Sequence, residues 1–180
     1  MKKLLSHILA TCMGAVTFVL FAIPQLTTFI KANGKYQLKE YQEKINGYEL
    51  MKLWDTEFAG VMTSLFQVLV LVCAIALLVY GVMGILKETG VLKSEAICKF
   101  VCSKISALGI LAYVVLNVLV IFFVLIYCGQ TKVEFGETVT GVKATIGLFL
   151  PLVLAGLSFA GLILVNKGKE EHHCNCGCEE

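Results

Sequence analysis

The chain has 180 residues, of which 58% are hydrophobic and only 16% are charged. Soluble domains contain about a quarter charged residues. The low charged fraction of this chain, together with its mean hydropathy of +0.83, excludes an ordinary soluble domain. A net charge of +2, without a basic patch interleaved with aromatic residues, argues against nucleic acid as a partner. All 15 basic residues are lysine, and the lack of a guanidinium group argues against a nucleotide or phosphate enzyme.

Four long apolar runs dominate the sequence. We predict membrane-spanning helices at residues 5–30, 59–86, 105–128 and 142–165, because a helix needs about 20 apolar residues to cross the hydrocarbon core. Pro24 falls near the outer end of the first predicted helix, where a kink costs least. The predicted fold is an all-α integral membrane protein, in which residues 1–165 form a bundle of four transmembrane helices.

Two loops are predicted to form a small, partly ordered extracytoplasmic face. Residues 31–58 carry five lysines and five acids and contain two Asn-Gly turn signals, with too much apolar content for a flexible linker. A short β-hairpin and a helix lying at the membrane interface are both compatible with this loop. In the second loop, residues 129–141, the stretch Lys132-Val133-Glu134-Phe135 alternates as a strand does.

The predicted topology places both termini on the same side, since four spans separate them. The connector at residues 87–104 and the N-terminus are net positive, whereas acids match the lysines of the two predicted outer loops. The connector and tail also hold five of the eight cysteines, which favours a reducing compartment. We therefore predict a multi-pass plasma-membrane protein with both termini in the cytoplasm.

Small and amide side chains are the predicted means of packing the helices. Small residues three or four positions apart allow close helix contact in lipid, where little hydrophobic drive exists. Gln67 and Asn117 are the notable amides within the spans, and we interpret them as interhelical clasps. The candidate small-residue pairs are Ala10 and Gly14, Gly81 and Gly84, Gly109 and Ala112, and Gly156 and Ala160.

No arrangement of residues in the sequence indicates catalysis, so we predict a protein that is not an enzyme. No charged residue lies deep within a predicted span, which argues against a coupled ion pump. The three histidines do not form a His-Glu-x-x-His motif, and there is no Gly-x-Ser-x-Gly elbow.

The polar tail, residues 166–180, carries the most unusual chemistry. Thiolate and imidazole ligands suit zinc or copper, and Cys98 and Cys102 are spaced to share one face of a helix on the same side of the membrane. The tail lacks the paired C-x-x-C knuckles of a zinc ribbon. A tail with incidental thiols and a palmitoylation site remain alternatives. The candidate metal ligands are His172, His173, Cys174, Cys176, Cys178, Cys98 and Cys102.

In layout, with a long first loop, a short connector and a short second loop, the chain is similar to claudin-like and other tetraspanning proteins. The first loop lacks a Trp…Gly-Leu-Trp…Cys…Cys signature, so the similarity covers topology alone. The leading hypothesis is a membrane protein that acts by packing against copies of itself or other membrane proteins. The alternatives are a soft-metal sensor or transport accessory, and a small channel or toxin-immunity protein.

Overall fold

The computed structural model describes residues 2–32, 35–36, 43–55, 57–91, 103–135 and 138–167. Short 3-10 turns at Leu53–Asp55 and Ile146–Leu148 precede the third and fifth helices. In chain order the other elements are α1 (Lys2–Ala22), β1 (Pro24–Ala32), β2 (Lys35–Tyr36), β3 (Lys44–Asn46), α2 (Gly47–Leu50), α3 (Phe58–Glu88), α4 (Ser103–Gln130), β4 (Val133–Phe135), β5 (Thr138–Ala144) and α5 (Leu150–Lys167).

Three described helices are long and apolar enough to cross a membrane. The qualifying segments are Leu4–Ala22, Phe58–Glu88 and Leu108–Gln130. The apolar segment Ile146–Gly161, which includes the first part of α5, is shorter. The second of them ends where Gly90 adopts a φ of 75°, a left-handed conformation that glycine reaches without steric cost. The protein is therefore mostly helical, as the hydropathy of the sequence indicates.

The prediction that the first helix continues to Ile30 is wrong. Helix α1 ends at Ala22, and Pro24 begins strand β1. Proline lacks a backbone N–H and disfavours helical geometry in the residue before it, which is Ile23. The following Leu-Thr-Thr-Phe-Ile stretch is rich in residues that favour strands, and its backbone pairs with β5.

The predicted start of the last helix at Val142 is also wrong. Val142 belongs to β5, and α5 begins at Leu150. Thr145 donates its backbone N–H to the carbonyl of Gln25 at 2.9 Å, which extends the strand pairing past the end of β5. Pro151 then occupies the first turn of α5, where its missing N–H costs nothing.

A five-stranded antiparallel sheet joins the segments on either side of the helices. Its order is β2-β1-β5-β4, and β3 pairs with the same edge of β1 as β2 does. Residues 26–32 of β1 pair with residues 138–144 of β5, so the chain after α1 and the chain before α5 lie at the same end of the helices. The predicted strand in the second loop is present as β4. The first loop contains the strands β2 and β3 and also the short helix α2.

The long helices pack side by side beneath this sheet. Helix α1 packs against α3, α3 against α4, and α5 contacts both α4 and α1. Leu9 contacts Gly161, and the carbonyl of Pro24 contacts Gly147, so α5 begins at the level where α1 ends. Leu26 of β1 is fully buried, and Val142 of β5 packs against the same hydrophobic core. The sheet therefore rests on the ends of α1 and α5.

Candidate functional site

Ten polar side chains are buried among the described residues of the helices and of strand β1. We call this set the polar seam. Nearly all of its members are hydroxyl or amide groups, and no carboxylate is among them. Its members are Ser6, His7, Thr17, Gln25, Thr27, Thr63, Ser64, Gln67, Asn117 and Ser158.

The centre of the seam joins α1 to α4. The Tyr113 hydroxyl lies 2.7 Å from the Thr17 hydroxyl. Thr17 donates a hydrogen bond to the carbonyl of Met13 at 2.7 Å. Because a hydroxyl has one hydrogen, Tyr113 is the donor in the bond between the two helices. Asn117 donates from Nδ2 to the carbonyl of Tyr113 at 2.8 Å. Both Thr17 and Tyr113 are fully buried, so this bond is made without competition from solvent.

The end of the seam nearest the sheet ties the sheet to α3. Gln67 of α3 donates from Nε2 to Oε1 of Gln25 at 3.2 Å. Gln25 is the extra residue of a β-bulge, because Pro24 and Leu26 pair with consecutive residues of β3. The bulge breaks the alternation of β1, and the Gln25 side chain reaches α3 rather than the open side of the sheet.

Helix α2 covers this end of the seam, and local capping fixes the position of α2. The Asn46 side chain accepts from the backbone N–H groups of Tyr48 and Glu49, and Glu49 accepts from the backbone N–H of Asn46. This reciprocal capping box stabilises the first turn. Tyr48 then donates to the carbonyl of Phe18 in α1 at 3.0 Å. Ser64 of α3 donates to the carbonyl of Leu50 at 2.8 Å.

The end of the seam farthest from the sheet depends on close contact between α1 and α3. The His7 ring packs directly against the backbone of Gly84, where an added Cβ would overlap it. At Gly81 an added Cβ would lie 2.7 Å from the carbonyl oxygen of His7, and at Gly14 it would lie 2.6 Å from that of Ala74. These glycines let the two backbones approach, as small residues do in membrane helices.

The predicted small-residue pairs therefore differ in their use. Ala10 is fully buried, Gly14 faces α3, and Gly81 and Gly84 face α1. Gly109 contacts Leu77, whereas Ala112 is exposed. Gly156 has nothing within 4 Å of an added Cβ, so its side of α5 is open.

The chemistry of the polar seam is that of a structural contact between helices. Within the described residues, every buried side-chain nitrogen and oxygen has a hydrogen-bond partner. The described part of the chain also contains no group of three histidine, cysteine or acidic residues close enough to hold a metal ion. The thiol of Cys73 lies 3.7 Å from the carbonyl of Gly109, and Cys12, Cys73 and Cys128 are free thiols. Hydroxyls and amides satisfied in this way hold helices together.

The metal ligands predicted from the sequence lie outside the described residues. These positions are Cys98 and Cys102 in the connector and His172, His173, Cys174, Cys176 and Cys178 in the tail. The amides of Gln67 and Asn117 were both identifiable from the sequence, and the structure places both in the seam. The prediction that both join helices is wrong, because Gln67 bonds to Gln25 of strand β1 and Asn117 bonds to Tyr113 within its own helix. Their partners were missed. The one available signal was Tyr113, an amphipathic ring four residues before Asn117 on the same helical face.

No family model, curated protein or solved structure matches this chain. The class of molecule therefore follows from the described residues alone. They form a mostly helical protein with three helices suited to a membrane, a small antiparallel sheet at one end and a satisfied polar interior.

Proposed function

We propose that this chain is an integral membrane protein that α1, α3, α4 and α5 anchor in the bilayer. The observation that most supports this membrane location is the inverted polarity of the helices. Large apolar side chains point outward, with exposed fractions of 65% at Val19, 56% at Val72 and 69% at Leu157, whereas amides and hydroxyls lie inside. This surface is unfavourable in water and favourable against lipid. Extraction of membranes at alkaline pH tests it, because the protein stays in the pellet if the helices cross the bilayer and is released if they do not.

We place the sheet on the outer side of the plasma membrane and both termini in the cytoplasm. Support comes from β1 and β5, which join one sheet although α3 and α4 separate them in sequence. Chain segments that pair in this way lie on the same side of a bilayer. The lysine-rich connector then lies on the cytoplasmic side, as the positive-inside rule favours.

We further propose that the protein acts by packing against a membrane partner and not by catalysis. The polar seam supports this role, because each of its described buried side-chain nitrogens and oxygens already has a hydrogen-bond partner within the protein. The open side of α5 is the surface that we assign to this contact. Gly156 and Ala160 are exposed there, beside Leu157, which is 69% exposed. Small residues at this spacing permit a second helix to approach closely.

Crosslinking in native membranes tests this packing. We expect wild-type protein to give a discrete crosslinked species, and Gly156→Leu to abolish that species by filling the space a neighbouring helix would occupy. Ala76→Leu is the matched control, because Ala76 is also an exposed small residue on an apolar helix. Loss of the species in both variants, or in neither, contradicts packing through α5.

A second candidate function rests on the sequence of the tail. Three thiols and two imidazoles within residues 172–178 offer a soft-metal site, with Cys98 and Cys102 as further ligands. If this function holds, the purified full-length chain carries stoichiometric zinc or copper, and replacing Cys174, Cys176 and Cys178 by serine removes it. Purified protein without either metal would refute this candidate and leave the packing role unaffected.

A further inference from the structure

The helices reach two different heights at the end that carries the sheet. An added Cβ at Gly47 would lie 3.0 Å from Cγ of Phe21 and 2.9 Å from Nε2 of Gln67, so the last turn of α1 is level with Gln67. Helix α3 begins at Phe58, and residues 58–66 therefore extend past α1. At about 1.5 Å per residue this extension is about 14 Å long.

Helix α4 accompanies α3 over the same distance. The ring of Phe123 stacks on Phe66 with centroids 5.4 Å apart. It also makes an edge contact with Phe58 at 6.3 Å. Gly109 contacts Leu77 lower down, which fixes the antiparallel register of the two helices. We call residues 58–66 of α3 and 119–130 of α4 the outer extension.

The surface of the outer extension is apolar except at its end, where Gln130 is exposed. The hydroxyls of Thr63 and Ser64 point inward, where Thr63 donates to the carbonyl of Ala59 and Ser64 to the carbonyl of Leu50. None of its residues is charged. Monomeric proteins seldom leave such a continuous apolar patch in water, so the patch is covered by something. The large exposed side chains are Phe58 at 67%, Phe122 at 55%, Leu125 at 51%, Leu65 at 38% and Ile126 at 38%.

Two observations favour lipid as the covering over a protein partner. First, the exposed apolar stripes continue without a break toward the opposite end, through Leu69 and Val72 on α3 and Val118 on α4. Gln67 does not interrupt them, because it is buried. Second, no charged residue lies between Lys104 and Lys132, and this run exceeds the about 20 residues that a helix needs to cross the hydrocarbon core, as expected for a tilted helix.

From this continuity we propose that lipid acyl chains cover the outer extension, so that the bilayer surface reaches higher on the side of α3 and α4 than on the side of α1 and α5. The protein is then tilted in the membrane, and the base of the sheet lies at headgroup level. The outer boundary falls at Glu57 and Lys132, the exposed charged residues that flank the extension. Trp54, 49% exposed in the turn before α3, lies where an indole ring is favoured. This inference rests on the proposed membrane location and adds the depth at which the protein lies in the bilayer.

Fluorescence quenching in liposomes tests the inference, because Trp54 is the single tryptophan of the chain. The full-length Trp54→Phe variant supplies a silent background. Phe122→Trp is introduced into it to report on the outer extension. Val72→Trp is the matched control within the span, since Val72 is exposed to a similar degree. The liposomes are phosphatidylcholine with or without brominated acyl chains, and iodide is the quencher in water.

We expect brominated lipid to quench Phe122→Trp by the same fraction as Val72→Trp, and iodide to quench neither. Quenching of Phe122→Trp by iodide would overturn the inference, because the extension would then lie in water. Protection of Phe122→Trp from both quenchers, with Val72→Trp still quenched by lipid, would overturn it in favour of a protein covering such as a second copy. Failure of brominated lipid to quench Val72→Trp would refute the membrane location itself.

Discussion

Tyr113 of α4 donates a hydrogen bond of 2.7 Å to Thr17 of α1, and both side chains are fully buried. The Thr17 hydroxyl in turn donates a hydrogen bond to the carbonyl of Met13, so the three groups form a directed chain. In lipid no water is available to replace a lost partner, which makes such a bond a specific contact between two helices. This pair is the clearest single link between α1 and α4.

The Tyr113–Thr17 bond should contribute measurably to stability. We expect Tyr113→Phe to lower the free energy of unfolding by about 1 kcal/mol, the usual size of an interhelical hydrogen bond in a membrane protein. Unfolding in mixed micelles with increasing dodecyl sulfate measures it. Thr17→Val completes a double-mutant cycle, and the two losses should not add. Full additivity would show that the two hydroxyls do not interact.

The contact of His7 with Gly84 should be intolerant of a methyl group. Gly84→Ala places a Cβ into the imidazole ring, and we expect a loss of about 1–3 kcal/mol from overpacking. Gly156→Ala is the control, because that position is open and alanine favours helix by up to about 1 kcal/mol. His7→Ala should restore part of the stability of Gly84→Ala. Equal effects at the two glycines in the same unfolding assay would contradict the packing.

The amide pair between β1 and α3 should hold the sheet to the helices. Gln67→Leu leaves the buried Gln25 amide without its partner, at a cost of about 1–3 kcal/mol. Amide hydrogen exchange in β1 and β5 should accelerate in this variant. The double variant Gln25→Leu with Gln67→Leu removes both polar groups and should exchange more slowly than the single variant. Unchanged exchange in Gln67→Leu would refute the clasp.

Hydropathy alone predicted the two central helices well. The predicted helix at residues 59–86 corresponds to Phe58–Glu88, and that at residues 105–128 to Ser103–Gln130. Both are long apolar runs without a proline, for which only a helix satisfies the backbone in lipid.

The end of α1 and the start of α5 could not be predicted in the same way. The segment Leu26–Ile30 is apolar enough to extend a helix and β-branched enough to form a strand. The choice is made by β5, whose residues lie more than a hundred positions away in sequence. Periodicity within one segment contains no information about such a partner.

The candidate site was predictable only in part, for a related reason. Gln67 and Asn117 are conspicuous amides in apolar runs, and a polar group in such a run signals a contact. Thr17 and Gln25 are not conspicuous. Their burial depends on the register of α1 against α4 and on the bulge in β1, both of which emerge only when the helices and strands are assembled.

The central claim, that the helices cross a membrane with the whole sheet on one side, is tested most directly by labelling single cysteines in sealed vesicles of known orientation. The eight native cysteines are replaced by serine, and Lys44→Cys, Lys132→Cys and Glu88→Cys are introduced one at a time at exposed positions. A membrane-impermeant maleimide should label residues 44 and 132 from the outer side and residue 88 from the cytoplasmic side only. Labelling of residues 44 and 132 from opposite sides, or of residue 88 together with them, would contradict the account.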